Sequence, residues 1–300
     1  MIGAVAPTST LALRFDGAFL RKLEFLRIVS RKAFAGRDRA DRIARARGRG
    51  AEFADYRPYV AGDDIRQIDW KAYKRLNRLL LRLFDEERDL PIYLFLDTSR
   101  SMAVAGKFDL ARRVAAALCY IGLVHLDRVM VASFATHMQP EIVPGRGRGR
   151  IFGLLDRLDA LEPAGETDLF QTMRGFAARS RARGVAVVIS DFLDATGVEP
   201  SLRMLSALGH DVFVVHIQTA RDGEVSPLGD VRLVDIESGE SRDVDLTPTL
   251  VASYRDAWRR QVDALKDVCG RYRLAYLPAL VEDPFEDVVL RAFRAGGFLE

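Results

Sequence analysis

Asp97, Ser99 and Ser101 stand at i, i+2 and i+4 in DTSRSM (97–102), directly after the apolar run PIYLFL (91–96). In an extended segment alternate side chains share one face. Three hard oxygen donors therefore converge where a buried strand reaches the surface. Such donors suit Mg²⁺ or Mn²⁺, not zinc. A polar turn capping the next helix is the competing reading of DTSRS alone. Thr167, in GETD (165–168), stands at the head of a predicted helix, and Asp191 follows the predicted strand VAVVIS (185–190). Taken singly, Thr167 reads as a helix cap and Asp191 as a loop acid. In a doubly wound sheet, however, ligands gather at the carboxyl ends of strands near the reversal of strand order. Asp97 and Asp191 both stand at such ends.

Other chemistries find little support. His125, His137, His210 and His216 are scattered, and His216 falls inside an apolar run, where it reads as a core histidine. No His-Ser-Asp or Cys-His grouping is visible. Cys119 and Cys269 lie far apart with no CxxC, which argues against a disulfide framework or zinc site and fits a reducing compartment. GRGRGR (145–150) lacks the Lys-Ser/Thr of a P-loop and reads as a solvated loop.

The elements that must position the oxygens are legible from residue 91 onward. Short apolar runs at 91–96, 128–135, 185–190, 211–218 and 273–280 read as strands, the first buried on both faces. Helices are expected for about twenty residues from Lys107, over IFGLLDRLDAL, from about Asp168 to Arg183, over 199–209, from Thr247-Pro248, and over PFEDVVLRAFRA. Thr247 is the expected cap with Pro248 in the first turn. Residues 231–246 alternate around Ser238-Gly239, a hairpin signal. Alternating strands and helices indicate an α/β fold with a doubly wound, mainly parallel sheet over residues 90–300.

Residues 1–89 form an N-terminal helical and extended extension. It holds a loose lead-in (1–16), an amphipathic helix over 17–35, an Arg-rich linker, the polar-aromatic segment 52–70, a basic run (71–78), and a strand or short helix over 79–89. Arg57, Arg66, Asp63, Asp64 and Asp69 are expected to form an ion-pair network beneath Tyr59 and Trp70. A partner-binding surface is the other reading of this segment. Asp63 or Asp64 also suits the cap of a short helix beginning at Ile65.

The 300 residues correspond to one large domain or two modest ones. Hydrophobic residues at 49% and charged residues at 29% exclude a largely disordered chain. A net charge of +3 is too balanced for a dedicated nucleic-acid binder. The basic run 31–50 holds eight basic and two acidic residues but only one aromatic, Phe34, so no nucleic acid is expected there either. The longest charge-free apolar stretch, Val114 to Leu126, falls short of the roughly 20 residues that span a bilayer. No signal peptide is read at the N-terminus, so a cytoplasmic location is expected.

The five positions Asp97, Ser99, Ser101, Thr167 and Asp191 resemble, in order and separation, the metal-ion-dependent adhesion site of the von Willebrand factor A-like fold. Glu166 is a departure, since a glycine often precedes the Thr there. The upstream residues Glu52-Phe53, Arg57, Tyr59, Gly62-Asp63-Asp64, Arg66, Ile68-Asp69-Trp70 and Glu87-Arg88-Asp89 resemble the signature of the bacterial domain-of-unknown-function family number fifty-eight. The resemblance spans roughly residues 40–250. It implies a von Willebrand A-like domain that binds Mg²⁺ or Mn²⁺ and works as an adaptor or chaperone-like partner of a MoxR-type AAA+ ATPase. The partner, that ATPase or a client, would offer a carboxylate, which Arg100 is placed to steer. The expectation is thus a non-enzymatic binding module. The alternatives are a metal-dependent phosphohydrolase using Asp97 and an arginine-rich nucleic-acid binder. Aspartate-based phosphohydrolases need a second acid two residues after the nucleophile, where this chain has Ser99.

Overall fold

The computed structural model describes residues 17–26, 28, 52–60, 63, 65, 68–85, 91–139, 142–143, 147–179, 182–194, 197–225, 228–236 and 239–292. The lead-in 1–16, the basic run 31–50, Gly62, Asp64, Arg66 and the Glu87-Arg88-Asp89 signature lie outside them. The chain forms two compact units, one of residues 1–33 with 90–300 and one of residues 34–89.

In the larger unit five strands form one parallel sheet: β3 (Pro91–Asp97), β4 (Arg128–Phe134), β5 (Val185–Ser190), β6 (Asp211–Gln218) and β9 (Ala275–Leu280), in the order β4-β3-β5-β6-β9. Their side chains alternate between two cores, as the two-residue period of a strand requires. Ile92, Leu94 and Leu96 of β3 enter one core and Tyr93 and Phe95 the other. Helices α1 (Gly17–Glu24), α3 (Lys107–Val124) and α4 (Ile151–Asp159) supply the first core. Helices α5 (Leu169–Ala177), α6 (Val198–Ala207) and α7 (Pro248–Tyr272) supply the second. The expected α/β, doubly wound architecture is what forms. Helix α3 is apolar almost all round because it is buried on most sides. Phe95 is fully buried beside Phe176, with ring centroids 4.9 Å apart. Phe95→Ala therefore costs about 3–5 kcal/mol.

Several boundaries differ from expectation. Helix α1 stops at Glu24, and residues 29–35 of the expected helix lie outside the described residues; Phe25, the residue after α1, is 85% exposed. Helix α5 ends at Ala177, not Arg183, and Asp168, not Thr167, caps it by accepting from the Gln171 N–H. The closing segment makes only one turn, Phe285–Asp287, before a π-helical turn at Val288–Ala292. Thr247 caps α7 as expected, accepting from the Leu250 N–H with Pro248 in the first turn. The hairpin forms between β7 (Gly229–Val234) and β8 (Ser241–Leu246).

In the smaller unit β1 (Glu52–Pro58) pairs antiparallel with β2 (Leu80–Asp85), and α2 (Trp70–Leu76) lies between them in sequence. Within the 79–89 segment residues Leu80–Asp85 form a strand, and the basic run contains a helix. Asp69 caps α2, its Oδ1 accepting from the Lys71 and Ala72 N–H groups, while its Oδ2 accepts from the Tyr56 hydroxyl at 2.8 Å. Arg57 pairs with Asp63 at 2.8 Å, and Asp63 also accepts from the Val60 N–H, which with Arg57 holds its carboxyl below the usual range. Trp70 does not roof these charges as expected. It is 57% exposed and packs edge-on against Tyr73, because its place at the start of α2 turns it outward.

Candidate metal centre

Strands β3 and β5 are neighbours, yet the chain leaves β3 toward β4 on one side and continues from β5 toward β6 on the other. This is the reversal point at which doubly wound sheets open a crevice at their carboxyl ends. Asp97 ends β3, and Asp191 immediately follows β5.

Four of the five expected donors meet there. Asp97, Ser99, Ser101 and Asp191 are all buried, none more than 2% exposed. The Ser99 and Ser101 hydroxyl oxygens lie 3.0 Å apart, and the Ser101 hydroxyl donates to Asp191 Oδ1 at 3.4 Å. The 3.0 Å between the two hydroxyl oxygens is a hydrogen-bond length and also about the separation of adjacent ligands on an octahedral ion with bonds of about 2.1 Å. Thr167 is half-buried on a neighbouring loop. Two backbone bonds lay that loop against the Asp97–Ser101 turn, from Ala164 N–H to the Thr98 carbonyl at 2.7 Å and from Arg100 N–H to the Gly165 carbonyl at 3.0 Å. Gly165 takes a positive φ of 82°, which a side chain would strain, and an added Cβ would also press on Thr136. Glu166 is exposed, its carbonyl accepting from the Thr136 hydroxyl. Among the described residues no group of three His, Cys, Asp or Glu could hold a metal. The candidate ligand set therefore depends on serine hydroxyls.

Three participants were not assigned from sequence. Ser190 donates to Asp97 Oδ2 at 2.6 Å and accepts from the Phe192 N–H at 2.9 Å, tying the two acidic strand ends together. Phe192 holds a left-handed φ of 52°, unusual for a bulky residue; its carbonyl accepts from Gln261 Nε2. Lys107 is the third. Its ammonium lies 3.3 Å from Asp191 Oδ2 and 3.1 Å from Asp222 Oδ1, with the side chain only 5% exposed. The turn through Ala105 and Gly106, both at positive φ, brings the start of α3 back under the strand ends. The pattern Gly106-Lys107 was the available signal for Lys107. Nothing in the sequence pointed to Asp222.

The electrostatics are those of a site with an excess of negative charge. Burial, and then the nearby Asp191 carboxylate, push the Asp97 carboxyl up to about 7, against hydrogen bonds from Ser190 and Ser99. Burial likewise raises Asp191, opposed chiefly by Lys107. The two carboxylates repel each other, and Lys107 faces only Asp191 of the pair. His216 is buried as expected and bonds through Nδ1 to the Tyr276 hydroxyl at 2.9 Å; burial pushes its imidazole down to about 4. Cys119 and Cys269 are free and buried.

A family model described as "Protein of unknown function DUF58" matches residues 55–264. An uncharacterized protein of Mycobacterium tuberculosis is 30% identical over 266 residues, which cover 85% of this chain and 83% of the relative. An uncharacterized protein of Mycobacterium bovis matches to the same extent. Among solved structures, the conserved hypothetical protein BatB of Bacteroides thetaiotaomicron aligns with a TM-score of 0.43 at 13% identity, covering 69% of this chain and 98% of that one. An aerotolerance-related membrane protein of Bacteroides fragilis aligns at 0.37 and 16%, covering 61% and 98%.

Proposed function

The chain belongs to the protein family of unknown function DUF58, and for this member we propose a divalent-metal-dependent, non-enzymatic protein-binding module. The observation that carries the reading is the unbroken set of buried oxygens from Ser99 through Ser101 to Asp191, with Asp97 beside it, at the reversal point of the sheet. Ser99, Ser101 and Thr167 would offer neutral oxygens, and Asp97 and Asp191 would offer charge directly or through water. A bound Mg²⁺ or Mn²⁺ would supply a Lewis-acidic position for a partner's carboxylate. Neutral hydroxyl ligands leave much of the ion's charge uncompensated, which favours capture of an anion over activation of water. Arg100 is exposed beside the turn, where it would steer that anion.

The family resemblance carries the choice of partner, a MoxR-type AAA+ ATPase or its client. Among the described residues no helix is long and apolar enough to cross a membrane, and we place the partnership in the cytoplasm. Phosphohydrolysis at Asp97 is disfavoured. Ser99 stands two residues after Asp97, where such an enzyme needs its second acid. The test is a pull-down from the native host with and without chelator. Recovery of one protein in Mg²⁺, its loss in EDTA, and its loss with Ser99→Ala/Ser101→Ala support the reading. Undiminished recovery in EDTA and by the double variant refutes it.

A further inference from the structure

The β7–β8 hairpin stands apart from the central sheet, and among the described residues no third strand pairs with β7. A two-stranded hairpin with an open edge is only marginally stable in water and invites another strand. The outer edge of β7 can be read residue by residue. Beyond its end, the Asp235 N–H donates to the Glu240 carbonyl at 2.8 Å. In an antiparallel ladder this fixes the alternation: Val231, Leu233 and Asp235 turn their backbone groups toward β8, and Asp230, Arg232 and Val234 turn theirs outward.

We propose that this edge pairs with the same edge of a second copy of the chain, antiparallel and centred on Val231. That register sets Asp230 opposite the second copy's Arg232, and Arg232 opposite its Asp230. It also sets Leu228 opposite the second copy's Val234 and the reverse; these apolar residues are 59% and 60% exposed. Centring on Asp230 would oppose two aspartates, and centring on Arg232 two arginines, so charge selects the Val231 register. Within the hairpin Asp230 faces Asp245 across the ladder, a like-charge pair that the incoming arginine relieves. Arg232 already bonds Asp243 of its own β8 at 2.7 Å and would then lie between two carboxylates. The contact is isologous, and it closes as a dimer instead of growing into a fibre. Its area is that of a small, reversible interface.

Sedimentation equilibrium of the full chain over about 1–100 µM tests this. The wild type is expected to show a reversible monomer–dimer equilibrium. Asp230→Lys and Arg232→Asp, each alone, oppose like charges twice and should weaken dimerisation at least about tenfold. Asp230→Lys also faces Asp245 within its own hairpin, so its loss of dimer does not come from a weakened hairpin. An equimolar mixture of the two variants sets Lys opposite Asp and Arg opposite Asp, and should restore association as a heterodimer. A wild type that stays monomeric overturns the proposal and leaves the edge to a strand of a different protein. So does a dimer that both variants retain, or a mixture that fails to associate.

Discussion

Lys107 flanks the acidic crevice, its ammonium 3.3 Å from Asp191 Oδ2 and 3.1 Å from Asp222 Oδ1, while Asp191 Oδ1 accepts from the Ser101 hydroxyl. It is a tethered cation beside the proposed metal position, and it neutralises one of the two strand-end carboxylates. Removing one partner of a buried ion pair costs about 3–5 kcal/mol when the other charge persists. Asp191 escapes part of that cost by holding a proton, since burial already raises its carboxyl.

Lys107→Met should therefore lower the melting temperature in chelator, and Mg²⁺ should raise it by more than it raises that of the wild type, because the ion then supplies the missing charge. Thermal melts of both proteins with EDTA or Mg²⁺ check this. Equal Mg²⁺-induced shifts would mean that lysine and metal do not share the crevice.

The Asp97 carboxyl carries a pH prediction. Its folded value of about 7 stands above the ordinary 3.8. Between those values the metal-free folded state holds a proton that the unfolded chain has lost, so this group's contribution to stability falls as pH rises through the window. A metal must displace that proton, so Mg²⁺ affinity should rise from about pH 6 to about pH 8. Ser190→Ala removes a hydrogen bond that lowers the Asp97 value, and should move the midpoint of that rise upward. Calorimetric titrations at several pH values read both effects; a flat affinity over the range would separate Asp97 from the metal.

In the smaller unit, Asp69→Ala removes the cap of α2 and the acceptor for the Tyr56 hydroxyl together. The expected loss is about 1–2 kcal/mol, confined to this unit. Hydrogen exchange should quicken in α2 and in β1 and leave β3 and β5 unchanged. Quickening across the parallel sheet as well would show that the cap supports more than its own unit.

The parallel sheet was legible because each of its strands is a short apolar run, and β5 and β6 fall on the residues expected for them. Strand β1 was hidden. Asp55, Arg57 and Pro58 break its apolar pattern, and its pairing with β2 reaches across α2. The helix inside 71–78 went unread although Trp70, Tyr73 and Leu76 recur three apart, because Lys71, Lys74, Arg75 and Arg78 make the segment read as a charge run. The capping signal of Asp69 was present but was assigned to an ion-pair network. At the crevice, alternation along DTSRS brought out the serines, yet the segment leaves the expected extended form at Arg100, where a 3-10 turn (Arg100–Ala103) begins, and the two hydroxyls meet across that turn. Ser190, Lys107 and Asp222 reach it from three different connections, and only the assembled sheet shows that they meet.

Metal binding itself is tested most directly by calorimetric titration of Mg²⁺ and Mn²⁺ into the full chain near pH 8, beside the Asp97→Asn variant. Asparagine keeps the shape of the side chain and an oxygen for the Ser99 N–H, while removing the buried charge that the metal requires. The account predicts one saturable site in the wild type and at least about tenfold weaker binding in Asp97→Asn, with the variant melting no lower than the wild type in EDTA. Equal affinity in the two proteins, or no binding by the wild type, would contradict it.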